Sequence, residues 1–220
     1  MGQIVVRLLK LFGGLFLFSL GIAFTLNANI GYAPWDVFHV GITSVTGISI
    51  GAATILTGLL IIMIVLLLKE KLGLGTILNM IFVGIFLDFI LWLHIIPAAT
   101  SMAYGIAMLI AGLFILALGT CFYVGAAFGA GPRDSLMVAL ARKTKWPIGV
   151  CRTCIELFVM GIGWLLGGMV GIGTIISVFA VGFCVQLTFR LLKFDTINIQ
   201  HETLKQTYQH LSESKQAARA

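Results

Sequence analysis

The sequence predicts an all-α protein: a polytopic membrane bundle of six transmembrane helices in two inverted three-span repeats, each with a short half-helix that begins at a proline. Three observations predict this fold class. The 220-residue chain is 60% hydrophobic and 10% charged, with a mean hydropathy of +1.09. It matches itself at a fixed offset, and its cations fall in alternate connections between apolar segments. Such a composition excludes soluble enzymes, nucleic-acid binders and disordered chains.

An internal repeat organises the chain. Between Gly13 and Asp88, 24 of 76 residues are identical to the residue 98 positions later, without a gap. Shared membrane composition raises such a count, but it does not align the Gly-x-x-Pro-x-Asp motifs (31–36 and 129–134) or the Gly-x-Gly-Thr-Ile motifs (73–77 and 171–175). We therefore predict three segments: a first membrane repeat over 1–97, a second over 98–194 and a polar cytoplasmic tail over 195–220.

Each repeat contains three long apolar segments and one short one. A long segment can cross the ~30 Å hydrocarbon core, which takes ~20 helical residues. The short segments follow a proline and reach only about 18 Å as helices, at ~1.5 Å per residue, so each predicts a re-entrant half-helix or a helix at the interface. In chain order, the segments run over about 4–30, 34–46 (short), 49–68, 74–96, 103–128, 132–144 (short), 147–166 and 172–192.

The distribution of cations predicts the topology. With six spans and a cytoplasmic N-terminus, thirteen of the fourteen lysines and arginines lie in cytoplasmic segments, and the other, Arg152, lies within a span. The positive-inside rule therefore favours six spans with both termini in the cytoplasm. Because three spans is an odd number, the second repeat enters the membrane upside down. Inverted repeats with elements interrupted by Gly and Pro are typical of alternating-access transporters.

The first proline motif resembles a known family. Residues 31–37 (Gly-Tyr-Ala-Pro-Trp-Asp-Val), followed by Ser-Ile-Gly at 49–51, are similar to the YczE/YyaS/YitT family of bacterial integral membrane proteins. The resemblance covers about residues 10–193. It implies a multi-pass protein of the bacterial inner membrane and carries over no catalytic residue. The second copy has Arg133 where the first has Trp35, so whether the two turns do the same job stays open.

Two carboxylates lie near the predicted starts of the short helices. Asp36 and Asp134 each follow a proline by two residues, where the free backbone N–H groups and the helix dipole favour a negative charge. Capping explains both residues. The alternative is that Asp36, with His39 and Thr43 on the same helical face, lines an outer vestibule and binds a cation, a proton or an amine.

Arg152 and Glu156 are one helical turn apart in the fifth span, where the first repeat has Thr54 and Gly58. They are either a pair that compensates its own burial or a substrate site, because intramembrane charges face a bundle interior or a wet cavity. The planar guanidinium suits a carboxylate, phosphate or sulfonate. The difference between the repeats favours a ligand site, because a scaffold repeats whereas a ligand needs only one site.

Two further polar positions are candidates. Asp88 lies in the third span and matches Gln186 in the sixth. It is protonated, paired with Arg152 across the bundle, or part of a proton relay. Asn29, near the end of the first span, either caps the helix or binds unwound backbone or substrate.

These features predict a small-solute transporter or permease for an anionic or zwitterionic solute. Transport is expected to be secondary, because no nucleotide-binding motif occurs. We expect no enzymatic activity, cofactor or metal, and the partners are the lipid bilayer and an unidentified small solute, not nucleic acid. A homo-oligomer stays open. The alternative function is a non-transporting membrane assembly or regulatory factor that acts through its cytoplasmic loop and tail.

Overall fold

Eight α-helices build the protein in the computed structural model, which describes residues 2–193; the predicted tail over 195–220 lies outside them. Six helices, all except α2 and α6, are long and apolar enough to cross a membrane, and no strand occurs in the described part of the chain. The prediction of an all-α bundle with six candidate spans is confirmed. The helices are α1 (Gly2–Asn27), α2 (Pro34–Thr46), α3 (Ile50–Leu67), α4 (Leu74–Trp92), α5 (Met102–Gly125), α6 (Pro132–Thr144), α7 (Ile148–Leu165) and α8 (Ile172–Leu191).

Local sequence explains where the short helices begin and end. Prolines occupy the first helical positions of α2 and α6, because their missing N–H is not needed there and their φ already suits a helix. Gly47 ends α2 in the left-handed conformation at φ 74°. Ser49 then starts α3 by accepting a hydrogen bond from the Ala52 N–H at 3.1 Å. The bounds of α2 and α3 recur 98 residues later in α6 and α7, as the self-match predicts.

Helices α1 and α5 pack closely at the centre of the bundle. The backbone of Gly14 lies against Gly119, and that of Gly21 lies against Gly112. The residue numbers of the contacting glycines rise along α1 while they fall along α5, so the two helices are antiparallel. In each pair a Cβ on the α1 glycine would lie within 3 Å of the carbonyl oxygen on α5, so glycine is what permits this approach.

The connections gather at two ends of the bundle. At one end, Arg7 donates to the Ala126 carbonyl at 3.0 Å, Arg142 pairs with Glu70 at 3.0 Å, and the Gly75 N–H donates to the Phe128 carbonyl at 2.7 Å. We call this the basic end. Of the eleven lysines and arginines of residues 2–193, Lys69, Lys71 and Lys145 lie in the connections at this end and Lys193 follows α8. The other seven lie on α1, α6, α7 and α8: Arg7, Lys10, Arg133, Arg142, Lys143, Arg152 and Arg190.

The other end, which we call the opposite end, joins loops from both halves of the chain. The Gly173 N–H donates to the Ile30 carbonyl at 2.8 Å, which is the counterpart of the Gly75–Phe128 bond. The Ala99 N–H donates to the Asn27 carbonyl at 2.8 Å. The Gly-x-Gly-Thr-Ile motifs thus dock the starts of α4 and α8 onto the loops that precede α6 and α2.

Candidate functional site

A central cavity of about 410 Å³ lies among the helices, and all eight of them contribute to its lining. Five of the seven predicted site residues line it, whereas Asn29 and Asp88 do not. The charged lining groups have both signs, and neutral polar side chains join them. The lining includes Asp36, His39, Asp134, Arg152 and Glu156 from the prediction, together with Asn79, Tyr123, Arg133 and Gln186.

The two proline motifs meet at this cavity. The Arg133 guanidinium carbon lies 4.8 Å from the centre of the Trp35 ring, a distance at which a cation is attracted to the π face. Trp35 and Arg133 are equivalent positions of the two motif copies. The first turns of α2 and α6 therefore lie next to each other at the cavity. The contact between them is made by Arg133 of the second copy, which replaces the Trp of the first copy.

Asp36 and His39 form the part of the site that α2 contributes. They are only 4% and 1% exposed. The His39 Nδ1 atom lies 3.8 Å from an Asp36 carboxylate oxygen and 3.2 Å from the Thr54 hydroxyl oxygen. Since Thr54 donates its hydroxyl hydrogen to the Ile50 carbonyl at 2.9 Å, it accepts from Nδ1–H. A neutral His39 ring then presents Nε2 as an acceptor, and that buried atom has no hydrogen-bond partner.

Unpartnered buried polar atoms concentrate around this cavity. Five side-chain nitrogen or oxygen atoms in the described residues are buried without a hydrogen-bond partner, and four of them belong to cavity-lining residues. An unsatisfied buried group costs about 1–3 kcal/mol, and because these atoms are themselves buried, a polar ligand gains their hydrogen bonds only by displacing the side chains that cover them. The four are the Trp35 Nε1, His39 Nε2, Thr57 Oγ1 and Ser177 Oγ atoms.

Helices α6 and α7 supply the cations and two further carboxylates. The Arg152 Nε atom donates to a Glu156 carboxylate oxygen at 2.8 Å. The Arg152 side chain remains 43% exposed, against 15% for Glu156, so its guanidinium keeps donors for a ligand. The Tyr123 hydroxyl donates to Asp134 at 3.1 Å. The Arg152–Glu156 pair thus compensates its own charge, and both residues line the cavity; a substrate-binding role stays a prediction.

Asp88 and Asn29 lie elsewhere. The Asp88 carboxylate accepts hydrogen bonds from the Gly51 N–H, at 2.7 Å, and from the Ser49 hydroxyl. It therefore ties α4 to the start of α3 and does not pair with Arg152. Asn29 is exposed in a left-handed turn at φ 52° after α1. Neither residue lines the cavity, and their predicted part in a solute or proton site stays a prediction.

Sequence reasoning missed most of the neutral polar lining. Thr57, Asn79 and Ser177 carry no charge, and hydroxyl and amide residues are common in membrane helices, so composition does not single them out. One signal was available: Asn79 and Ser177 are equivalent positions of the two repeats, and both line the cavity.

Comparisons with known proteins agree with a membrane protein. Residues 5–190 match the family described as "Family of unknown function (DUF6198)". The chain is 32% identical to "Uncharacterized membrane protein YczE" of Bacillus subtilis, over 84% of this chain and 86% of the relative. It is 32% identical to an "Uncharacterized protein" of Haemophilus influenzae, over 79% of each chain.

A third relative, "Uncharacterized protein YyaS" of Bacillus subtilis, is 30% identical over 75% of this chain and 83% of its own length. No solved structure matches the chain significantly. The predicted resemblance of the chain to the YczE/YyaS family is confirmed.

Proposed function

We propose that this chain, which belongs to the DUF6198 family, is a secondary transporter or permease that moves a small polar solute across the bacterial inner membrane. The observation that carries the proposal is the central cavity, which has five charged side chains inside a bundle of six candidate spans. Charged groups within a membrane bundle are costly and mark solute or ion pathways. Its volume of about 410 Å³ falls in the range of small-molecule sites.

The signs of the lining charges favour a zwitterionic solute over a purely anionic one. Arg133 and Arg152 can bind a carboxylate or phosphate, because the guanidinium fork matches these groups. The Asp36 carboxylate, on a residue that lines the cavity, provides an acceptor for an ammonium group. The two cations and the three carboxylates leave the site with one excess negative charge, so an anion without a cationic group is disfavoured.

The antiparallel packing of α1 and α5 supports an inverted relation between the repeats. Equivalent elements then exchange roles: α4 docks on the loop before α6 as α8 docks on the loop before α2. With the basic end in the cytoplasm, as the positive-inside rule favours, both predicted termini lie there. Single cysteines at Tyr32 and Ala130 test this topology. Impermeant reagents should label them from opposite sides of the membrane, and labelling from the same side would overturn the inverted arrangement.

Arg152→Ala tests the site. We expect it to abolish solute movement while membrane insertion stays intact, because the half-exposed guanidinium keeps donors for the solute. Arg142→Ala is the matched control, since Arg142 pairs with Glu70 at the basic end, outside the cavity.

The solute is first identified by comparing metabolites in cells with and without the protein, and uptake into proteoliposomes is then measured for the variants. Normal transport by Arg152→Ala would remove this residue from the site. If Arg152→Ala and Arg142→Ala lose transport equally, the loss is due to the positive charge at the basic end and not to the cavity.

A further inference from the structure

Helices α3 and α4 are in backbone contact near the opposite end of the bundle, along what we call the α3–α4 seam (Gly51, Gly84 and Asp88). A Cβ atom on Gly84 would lie 2.5 Å from the Gly51 carbonyl oxygen, and a Cβ on Gly51 would overlap the Gly84 carbonyl oxygen. Only glycine fits at either position. Asp88 adds a latch across the same seam through its bonds to the Gly51 N–H and the Ser49 hydroxyl.

The equivalent seam between α7 and α8 is open. We call it the α7–α8 seam (Gly149, Gly182 and Gln186). A Cβ on Gly149 or on Gly182 would meet nothing within 4 Å, although these residues are the counterparts of Gly51 and Gly84. A second cavity of about 260 Å³ lies between the two helices. It shares Arg152 and Glu156 with the central cavity, so the open seam leads to the charged site.

The latch also differs between the seams. The counterparts of Asp88 and Ser49 are Gln186 and Pro147. A neutral amide makes weaker hydrogen bonds than a carboxylate, and proline offers no hydroxyl. The α7–α8 seam therefore has the same glycines as the α3–α4 seam but lacks its charged latch.

From this asymmetry we propose that the two seams are the alternative entrances to the central cavity, and that Asp88 is the positioning residue that holds one of them shut. In this structure the entrance at the basic end is open and the entrance at the opposite end is closed. In the other state, α7 and α8 close through Gly149 and Gly182, as α3 and α4 do now, and the α3–α4 seam separates. This inference rests on the proposed function, to which it adds the route of entry.

Two matched pairs of cysteines test the exchange in the full chain, in a background without its four free cysteines. Ser49→Cys with Asp88→Cys reports the α3–α4 seam as it is closed here. Pro147→Cys with Gln186→Cys reports the equivalent contact across the α7–α8 seam. Disulfides form only when the Cα atoms approach to ~4.4–6.8 Å, so each pair reports closure of its own seam.

In each protein that has only one of the two cysteine pairs, we expect oxidation in membranes to form the disulfide of that pair. In a protein with all four cysteines, mass spectrometry should find the 49–88 or the 147–186 disulfide, and both in one molecule no more often than background. The proposal is overturned if the 147–186 disulfide never forms, or if both disulfides form freely in one molecule.

A bulky residue in the open seam provides an independent check. Gly182→Leu should leave the 49–88 disulfide and reduce the 147–186 disulfide to background, because its side chain fits the open seam but not the closed one. Gly161→Leu is the control: Gly161 on α7 also meets nothing within 4 Å, and its counterpart is Met63, which is 51% exposed. It should leave both disulfides unchanged. Undiminished 147–186 crosslinking in Gly182→Leu would show that α7 and α8 do not close through this glycine.

These measurements need no solute, so they separate the two proposals. If the seams exclude each other while Arg152→Ala transports normally, the solute site is wrong and the two-entrance inference stands. If transport depends on Arg152 but the seams do not exclude each other, only the two-entrance inference fails.

Discussion

Replacing Gly84 or its counterpart Gly182 by alanine adds the same methyl group to a closed and to an open seam. In Gly84→Ala the new Cβ lies 2.5 Å from the Gly51 carbonyl oxygen, so α3 and α4 must separate by about 0.9 Å to reach ordinary contact. Overpacking of this kind costs ~1–3 kcal/mol. In Gly182→Ala the methyl group meets nothing within 4 Å. Both variants gain about 1 kcal/mol of helix propensity, and this gain cancels in the comparison.

We therefore expect Gly84→Ala to be less stable than Gly182→Ala by ~1–3 kcal/mol, with Gly182→Ala as stable as the wild type or more so. The free energy of unfolding is measured by titration with sodium dodecyl sulfate in mixed micelles, followed by tryptophan fluorescence. If Gly84→Ala instead relieves its strain by opening the α3–α4 seam, the α7–α8 seam closes more often. The variant then loses less stability, and the yield of the 147–186 disulfide rises.

Equal unfolding free energies for the two alanine variants, together with an unchanged disulfide yield, would refute the reasoning. Such a result would mean that the α3–α4 backbones do not touch at Gly84. A large destabilisation by Gly182→Ala would equally contradict an open α7–α8 seam.

Three further predictions follow from the same contacts. Asp88→Asn keeps one acceptor but loses the charge, so it should weaken the latch by about 1 kcal/mol. In the protein with cysteines at 147 and 186, it should therefore raise the yield of the 147–186 disulfide roughly fivefold over the same protein with Asp88. His39→Phe should abolish transport with insertion intact because it removes the polar ring beside Asp36 in the cavity lining. Thr43→Val, which alters a buried unpartnered hydroxyl outside the cavity lining, should leave uptake unchanged. Deleting residues 195–220 should leave uptake into proteoliposomes unchanged; loss of the cellular phenotype with intact uptake would instead favour a role of the tail in docking a partner.

Local signals made the helices predictable. Apolar length decides which segments can span a membrane, and a proline followed by an acidic residue marks the starts at Pro34 and Pro132. The predicted short segments, 34–46 and 132–144, coincide with α2 and α6. The predicted ends of the long segments differ by a few residues from the ends of the helices. Hydropathy does not show where a helix is followed by a turn such as the one at Asn29.

The candidate site was only partly predictable, because a charge in a span does not reveal its neighbours. Arg152 and Glu156 were found because they are one turn apart on a single helix, so their pairing is local. Asp88 was assigned to the site on its charge alone. Its partner is the start of α3, reached through the close approach of Gly51 to Gly84, and a contact between two helices is not visible in the sequence of either one.

The glycines of the open α7–α8 seam are the strongest internal argument that it closes. Within a helix, glycine is less favourable than alanine by ~1 kcal/mol, and nothing packs against Gly149 or Gly182 in this structure. An unpacked helical glycine is not sufficient by itself, because Gly161 is also unpacked and its counterpart is Met63. Gly149 and Gly182 differ from Gly161 in that both counterparts are glycines in backbone contact with each other. If the two repeats exchange conformations, each seam must be able to close, and each therefore needs a pair of glycines. This explains why Gly149 and Gly182 are glycines although nothing packs against them in this structure.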